Sequence, residues 1–343
     1  MVCLRRSPWI CAAALTALFA VACSHDSAGP ASTASATAAA AISPGPAPQV
    51  EVAAADAAPS AAQTGGFDGT KAYAQVAKLV SFGPRPPDSD AIRATQGYIR
   101  AQLQGFGCAV DADDFHAQTP IGTLAMKNIV AKVPGEGQGI ILLLTHYDTL
   151  RLGNFVGAED GGSSTGLMVE IARVLCGAKK PRTYAVWIAF LDGEEAQVVE
   201  NGVAQWSATD SVYGSRELAA RLAVAGDLKR VRAVILADMI GQKGLHLMRE
   251  ENSTKWLADL VWKTAGRLGY GDIFVSRTTG SVSDDHEPFL HRGAPAVDLI
   301  DLGDYSEAGY WHTLQDTLDK LSPRNIAIVG HVILESVAEL EKR

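Results

Sequence analysis

Cysteine is scarce in this chain. The 343 residues carry five, and three of them, Cys3, Cys11 and Cys23, fall in the first 23 positions. Only Cys108 and Cys176 remain for a folded domain, and no CxxC spacing occurs, so a thiolate zinc ribbon or finger has nothing to be built from. The two remaining cysteines either pair in an oxidising compartment or stay buried and free; the sequence leaves both open. A basic surplus is also missing. The formal net charge is −8, with no basic cluster beyond the N-terminus, which excludes nucleic acid as an expected partner.

A membrane-spanning run is absent as well. The apolar stretch at 9–22 is too short to cross a bilayer. Preceded by Arg5 and Arg6 and followed by Cys23, it reads as a bacterial secretion signal over residues 1–23. Ala20-Val21-Ala22-Cys23 is similar to a lipobox, so Cys23 is expected to be the lipidated first residue of an exported periplasmic or outer-membrane lipoprotein. The alternative is ordinary cleavage and a soluble periplasmic product. Residues 24–66 have almost nothing but Ala, Ser, Thr, Pro and Gly. They lack the apolar bulk to order themselves and are expected to form a flexible tether that does not pack on the domain. The globular part is expected at 67–343, long enough for one large α/β domain.

What is present is organised around AVWIAFLDGEE, residues 185–195. Seven apolar residues in a row suit a strand buried on both faces, in the middle of a mostly parallel sheet. The run ends in Asp192, Gly193, Glu194 and Glu195, at the carboxyl edge where open α/β sheets place their sites. Two adjacent glutamates repel, and a metal ion is the usual charge that holds both ionised. Two further apolar runs behave alike: 140–144 leads into Thr145-His146-Tyr147-Asp148, and 233–237 ends in Asp238. Residues 108–117 and 125–133 pattern as antiparallel edge strands, and 296–300 as another strand. Helical stripes cover 68–81, a segment ending near 104, and then 163–175, 215–224, 254–268 and 323–340. Together these predict an α/β fold with a mixed, mostly parallel central sheet and helices on both faces. Asp160, just before a helix, and His312, on a late loop, add two more metal-capable groups. Carboxylates and imidazoles without thiolate suit a catalytic zinc with an open coordination position.

THYDT, GAEDGGSSTG, FLDGEEA, LADMIG and YWHT, in this order and spacing, resemble the zinc-dependent exopeptidases of metallopeptidase family twenty-eight. WSATDSVYGSREL, SDDHEPFLHRG and the YWHT stretch resemble its glutaminyl cyclase branch. The resemblance spans residues 67–343 and implies the zinc exopeptidase fold, related to the phosphorylase/hydrolase type. It implies that Asp160, Glu195 and His312 bind one Zn2+, and that His146 and Asp238, with Asp160 bridging, complete a second site where two ions are held. It assigns Glu194 as general acid/base, Asp148 as the carboxylate that orients His146, and Asp238 and Asp284 as acids hydrogen-bonded in relay with Glu194. Trp206 and Trp311 correspond to walls of the substrate pocket. The Glu195–Trp206 interval is longer than the cyclase pattern, so 197–205 is expected to alter the pocket rim. A cis peptide is implied at Asp160–Gly161. Asp298 and Asp301 read as surface positions.

Two enzyme readings follow. In the first, the N-terminal Gln of a peptide or protein is cyclised to pyroglutamate with loss of ammonia, Glu194 moving the proton. In the second, an aminopeptidase, Glu194 deprotonates the attacking water. A catalytically dead binding lipoprotein is the third reading, against which the intact set Asp160, Glu194, Glu195 and His312 argues.

Overall fold

The computed structural model describes residues 51–178 and 181–343. In chain order its main elements are α1 (Gly69–Val80), α2 (Asp90–Gly105), β1 (Ala109–Thr119), β2 (Gly122–Val133), β3 (Ile140–His146), α3 (Ser164–Gly177) and β4 (Ala185–Leu191). There follow β5 (Val199–Glu200), β6 (Val203–Ala204), α4 (Tyr213–Ala225), β7 (Val231–Asp238), β8 (Leu247–Arg249), α5 (Lys255–Arg267) and β9 (Phe274–Thr278). The last are α6 (Glu287–Leu290), β10 (Ala296–Ile300), α7 (Leu302–Glu307) and α8 (Pro323–Leu340).

Apolar runs without a polar face make the middle of the sheet. Every residue of β3 is buried, and β4 and β7 are nearly so. The strand order is β1-β2-β4-β3-β7-β10. β1 and β2 pair antiparallel, β2 joins β4 antiparallel, and β4, β3, β7 and β10 run parallel. Alternate side chains point to opposite faces. Ile141, Leu143, Val186, Ile188 and Ile235 pack in one core with α1, α2, α3, α5 and α8. Leu142, Leu144, Ala189, Val234 and Leu236 pack in the other with α4 and Phe289 of α6. Helices therefore cover both faces, as the pattern predicts. Their starts are capped by side-chain acceptors: Asp68 takes Thr70 N–H and Lys71 N–H, Ser89 takes Ile92 N–H, and Ser322 takes Asn325 N–H ahead of Pro323. No helix among the described residues is long and apolar enough to cross a membrane.

Parallel strands bring their carboxyl ends to one edge. His146 is level with Leu191, so Asp192–Glu195 emerge beside it. Leu144 is level with Leu236, which puts His146 and Asp238 side by side two residues on.

Cys108 and Cys176 form a disulfide across 68 residues, tying the start of β1 to the end of α3. This closes the alternative that the sequence leaves open.

The start of the domain needs correction. Residues 51–66, assigned to the tether, include two short 3-10 turns, Ala54–Asp56 and Ala61–Gln63. Thr64 is fully buried and its hydroxyl donates to Phe67 O at 2.5 Å. Ala58 packs against the core, Arg173 donates to Gly66 O at 2.8 Å, and Gly65 lies against His331. Small side chains, which composition scores as loose, are what this narrow seam beside α1 and α8 admits. Residues 1–50, with the signal and Cys23, lie outside the described residues. A chain beginning at Phe67 should melt below one beginning at Glu51, by roughly 2–4 °C for each kcal/mol of lost packing. Coincident melting curves would return this segment to the tether.

Candidate active site

The site is assembled from the ends of β3, β4 and β7 and from two loops. His146, the last residue of β3, is fully buried. Its Nε2 lies 3.1 Å from Asp238 Oδ1 and 3.3 Å from Asp160 Oδ1, and its Nδ1 lies 3.4 Å from Asp148 Oδ1. Asp148 also accepts the backbone N–H groups of Glu194 (3.1 Å) and Glu195 (3.3 Å), so one carboxylate aligns the imidazole and fixes the turn after β4. Gly193 makes that turn with φ +72°; a Cβ there would meet Met126 Sδ at 2.6 Å.

Asp160 sits on a wide turn between β3 and α3. Its Oδ2 is 3.2 Å from His312 Nε2, which is 3.5 Å from Glu195 Oε2. Glu195 Oε1 accepts Leu150 N–H at 3.1 Å, while its Oε2 has no hydrogen-bond partner among the described residues. Two groups of side chains converge closely enough to hold a cation each: His146, Asp160 and Asp238, and Asp160, Glu195 and His312. Asp160 belongs to both, so the candidate metal ligands predicted from sequence come together. Each group offers one imidazole and two carboxylates, and the orphaned Glu195 oxygen is a lone pair awaiting an acceptor; this donor set fits a divalent zinc.

The electrostatics show what the acids need. Burial raises Asp160, but its hydrogen bonds to His146 and His312 outweigh this and hold it well below the usual carboxylate range. Glu195 is pushed up to about 8 by burial, His312 opposing and Asp160 adding. Burial lowers His312, yet Glu195 and Asp160 raise it to about 9. Glu194 is raised well above its ordinary value, first by burial and then by Asp284 and Glu195, against His146. A cation between these ligands would relieve most of that strain.

Glu194 belongs to neither ligand group. It lines a cavity of about 570 Å³ together with Asp160, Asp238, Asp284, His312 and the two tryptophans. Trp206 and Trp311 stand at its walls, 36% and 38% exposed. Trp311 leans on His312 with ring centroids 4.3 Å apart, and His312 itself adopts φ +51°, a left-handed backbone rare outside glycine.

The family model for Peptidase family M28 matches residues 128–337, a span that starts in β2 and takes in both ligand groups, Glu194, Asp284 and the two tryptophans. The chain belongs to peptidase family M28. It is similar to the crystal structure of a glutaminyl cyclase from an Acidobacteriales bacterium, 39% identical, TM-score 0.74, over 81% of this chain and 96% of that one. A Zn-dependent exopeptidase from Parabacteroides distasonis is 28% identical, TM-score 0.72, over 81% of this chain and 99% of that one. The glutaminyl-peptide cyclotransferase-like protein of Bos taurus is 29% identical over 74% of this chain and 72% of its own.

Within this M28 site three expectations are corrected. No peptide among the described residues is cis, so Asp160–Gly161 is trans. The turn is made by dihedrals instead: Asp160 is extended (ψ 109°) and Gly161 takes φ +72°, where a Cβ would approach Asp148 O at 2.7 Å. Asp298 and Asp301 are buried, not surface. Asp298 lies inside β10, all of whose residues are buried, and Asp301 accepts from Gln242 Nε2.

Two supporting residues escape the sequence reading. Asp316 accepts the N–H groups of Glu159 (2.7 Å) and Asp160 (3.1 Å), holding the ligand turn from behind. Arg85 is fully buried and donates to the carbonyls of Tyr147 (3.2 Å), Val156 (2.6 Å) and Gly157 (3.1 Å). Burial lowers it to about 10, with Asp316, Asp148 and Asp160 opposing, so it remains a cation beneath the acidic site.

Proposed function

We propose that this chain is a zinc-dependent glutaminyl-peptide cyclotransferase, converting the N-terminal Gln of peptides or proteins to pyroglutamate with release of ammonia. The observation that carries the reading is that Glu194 and Asp284, acids outside both ligand groups, face one cavity with Trp206 and Trp311 beside His312. Asp160, Glu195 and His312 would hold one zinc, and His146 and Asp238 with Asp160 a second where two are bound. When bound, zinc supplies a Lewis acid for the glutamine γ-carbonyl. Glu194 takes a proton from the substrate's α-amine as its nitrogen bonds to the carbonyl carbon of the side-chain amide (Cδ), and returns a proton to the amide nitrogen as the bond from Cδ to that nitrogen breaks and ammonia leaves. Burial and the neighbouring Asp284 raise Glu194 above the ordinary carboxylate value, which suits a base that keeps the proton it has taken until it passes it to the leaving nitrogen. The tryptophans exclude water from the closing ring.

An aminopeptidase reading is favoured by a separate observation: the two ligand groups share Asp160, which suits a pair of ions. Purified protein incubated with Gln-Ala-Ala and Leu-Ala-Ala separates the readings by product mass. Loss of ammonia from the first supports cyclisation; loss of a whole N-terminal residue from either supports the peptidase. Export as a lipoprotein anchored through Cys23 is part of this proposal, and the Cys108–Cys176 disulfide, a bond that persists in oxidising compartments, supports it.

A further inference from the structure

The cavity is larger than its reacting end requires. A volume of about 570 Å³ is in the range that takes a whole small ligand. The charged groups, Glu194 and Asp284 among them, gather at the floor, while Val203, Ala204, Val282 and Leu302 give the outer part an apolar lining, and among the described residues no Lys or Arg lines any of it. Val203 is the most exposed of these at 62%. It projects from the β5–β6 hairpin, which turns at Gly202 with φ +79°.

This hairpin is rigidly tied to the chemistry. It leaves directly from Glu195: Gln197 is buried and donates to Glu195 O at 2.7 Å, and Arg151 donates to Gln197 Oε1 at 3.0 Å. Asp210 accepts Gln197 N–H (3.1 Å) and Val198 N–H (3.0 Å), and Gln205 N–H donates to Val198 O at 2.9 Å. The strand then runs into Trp206. The lip therefore keeps a set distance from Glu195 and from the pocket wall.

We propose that the β5–β6 lip, through Val203, is a specificity-determining surface for the residue that follows the N-terminal one in the substrate, favouring a large apolar side chain and disfavouring an acidic one. The inference rests on the proposed cyclisation for where the N-terminal residue lies. With the reacting end at Glu194, the rest of the peptide can leave only through the mouth, where its second side chain meets Val203, Val282 and Leu302. An apolar side chain there removes water from surface that the free protein leaves exposed. A carboxylate there gains no cation and faces the acids of the floor.

The test compares Gln-Phe-Ala, Gln-Gly-Ala and Gln-Glu-Ala. In the unaltered protein kcat/KM should rank Phe over Gly by on the order of tenfold, with Glu below Gly. Val203→Asp, on an exposed hairpin tip, should bring the Phe/Gly ratio close to one, and Val203→Ala should fall between; unchanged melting curves verify the fold. The same ranking should appear in dissociation constants measured by calorimetry on Glu194→Gln, which needs no turnover. Equal kcat/KM and equal binding for the three peptides, or a Phe/Gly ratio untouched by Val203→Asp, overturns the lip even if ammonia is released. Ranked binding without ammonia release from any peptide supports the lip and sinks the cyclisation reading instead.

Discussion

Replacing Glu194 by glutamine should lower turnover by about 10²-fold or more while leaving metal content intact. The side chain keeps its size and loses its capacity to accept a proton. It lies 4.0 Å from His146 Nδ1, the nitrogen facing Asp148, and belongs to neither ligand group. Its backbone N–H donates to Asp148, an interaction the substitution does not touch, so the turn and the neighbouring ligand Glu195 stay in place. Elemental analysis of the purified variant should match the parent. Turnover within a factor of two of the parent would move the proton transfer to another acid, with Asp284 the next in the same cavity.

Asp160→Ala should act the opposite way, stripping metal and activity together. This carboxylate is the only ligand common to both groups, and it lies within 3.3 Å of His146 and 3.2 Å of His312. Without it each group falls to one imidazole and one carboxylate, too few to hold zinc at a protein site. Metal content should fall to near background, and turnover by about 10³-fold or more, the several kcal/mol that Lewis-acid stabilisation supplies. The contrast between the two variants is informative because the residues are close in space and differ in role. A variant at Asp160 that kept both metal and turnover would place the catalytic ion elsewhere.

Much of this site is legible in the chain because burial on both faces leaves a continuous signature. β4 has the bounds its seven apolar residues predict, and α8 runs from the proline to the last apolar position of its stripe. Parallel pairing then converts three sequence-distant strand ends into one edge, so His146, Glu194, Glu195 and Asp238 could be grouped without any long-range information. Asp316 and Arg85 leave no such trace. Both act on backbone groups of a turn far away in sequence, and a carboxylate that accepts two N–H groups looks, residue by residue, like any surface acid. The same reason hides the packing of Thr64: only the tertiary neighbours of a small polar residue reveal that it is buried. At Asp160–Gly161 the carry-over from related enzymes anticipated an isomerised bond, whereas glycine's positive φ gives the carboxylate its direction here.

Asp316 has a consequence for the order in which the protein matures. The Asp160 turn is fastened by a residue 156 positions later, and His312, on the fifth segment that contributes to the site, arrives just before it. A chain emerging from the ribosome can form β3, β4 and β7 and still present Asp160 on an unfastened loop, with Glu195 lacking its histidine neighbour. The group Asp160, Glu195 and His312 is closed only when the segment between β10 and α8 is in place. Metal capture at that group is thus a reporter of chain completion: a fragment ending before His312 lacks the imidazole that closes it.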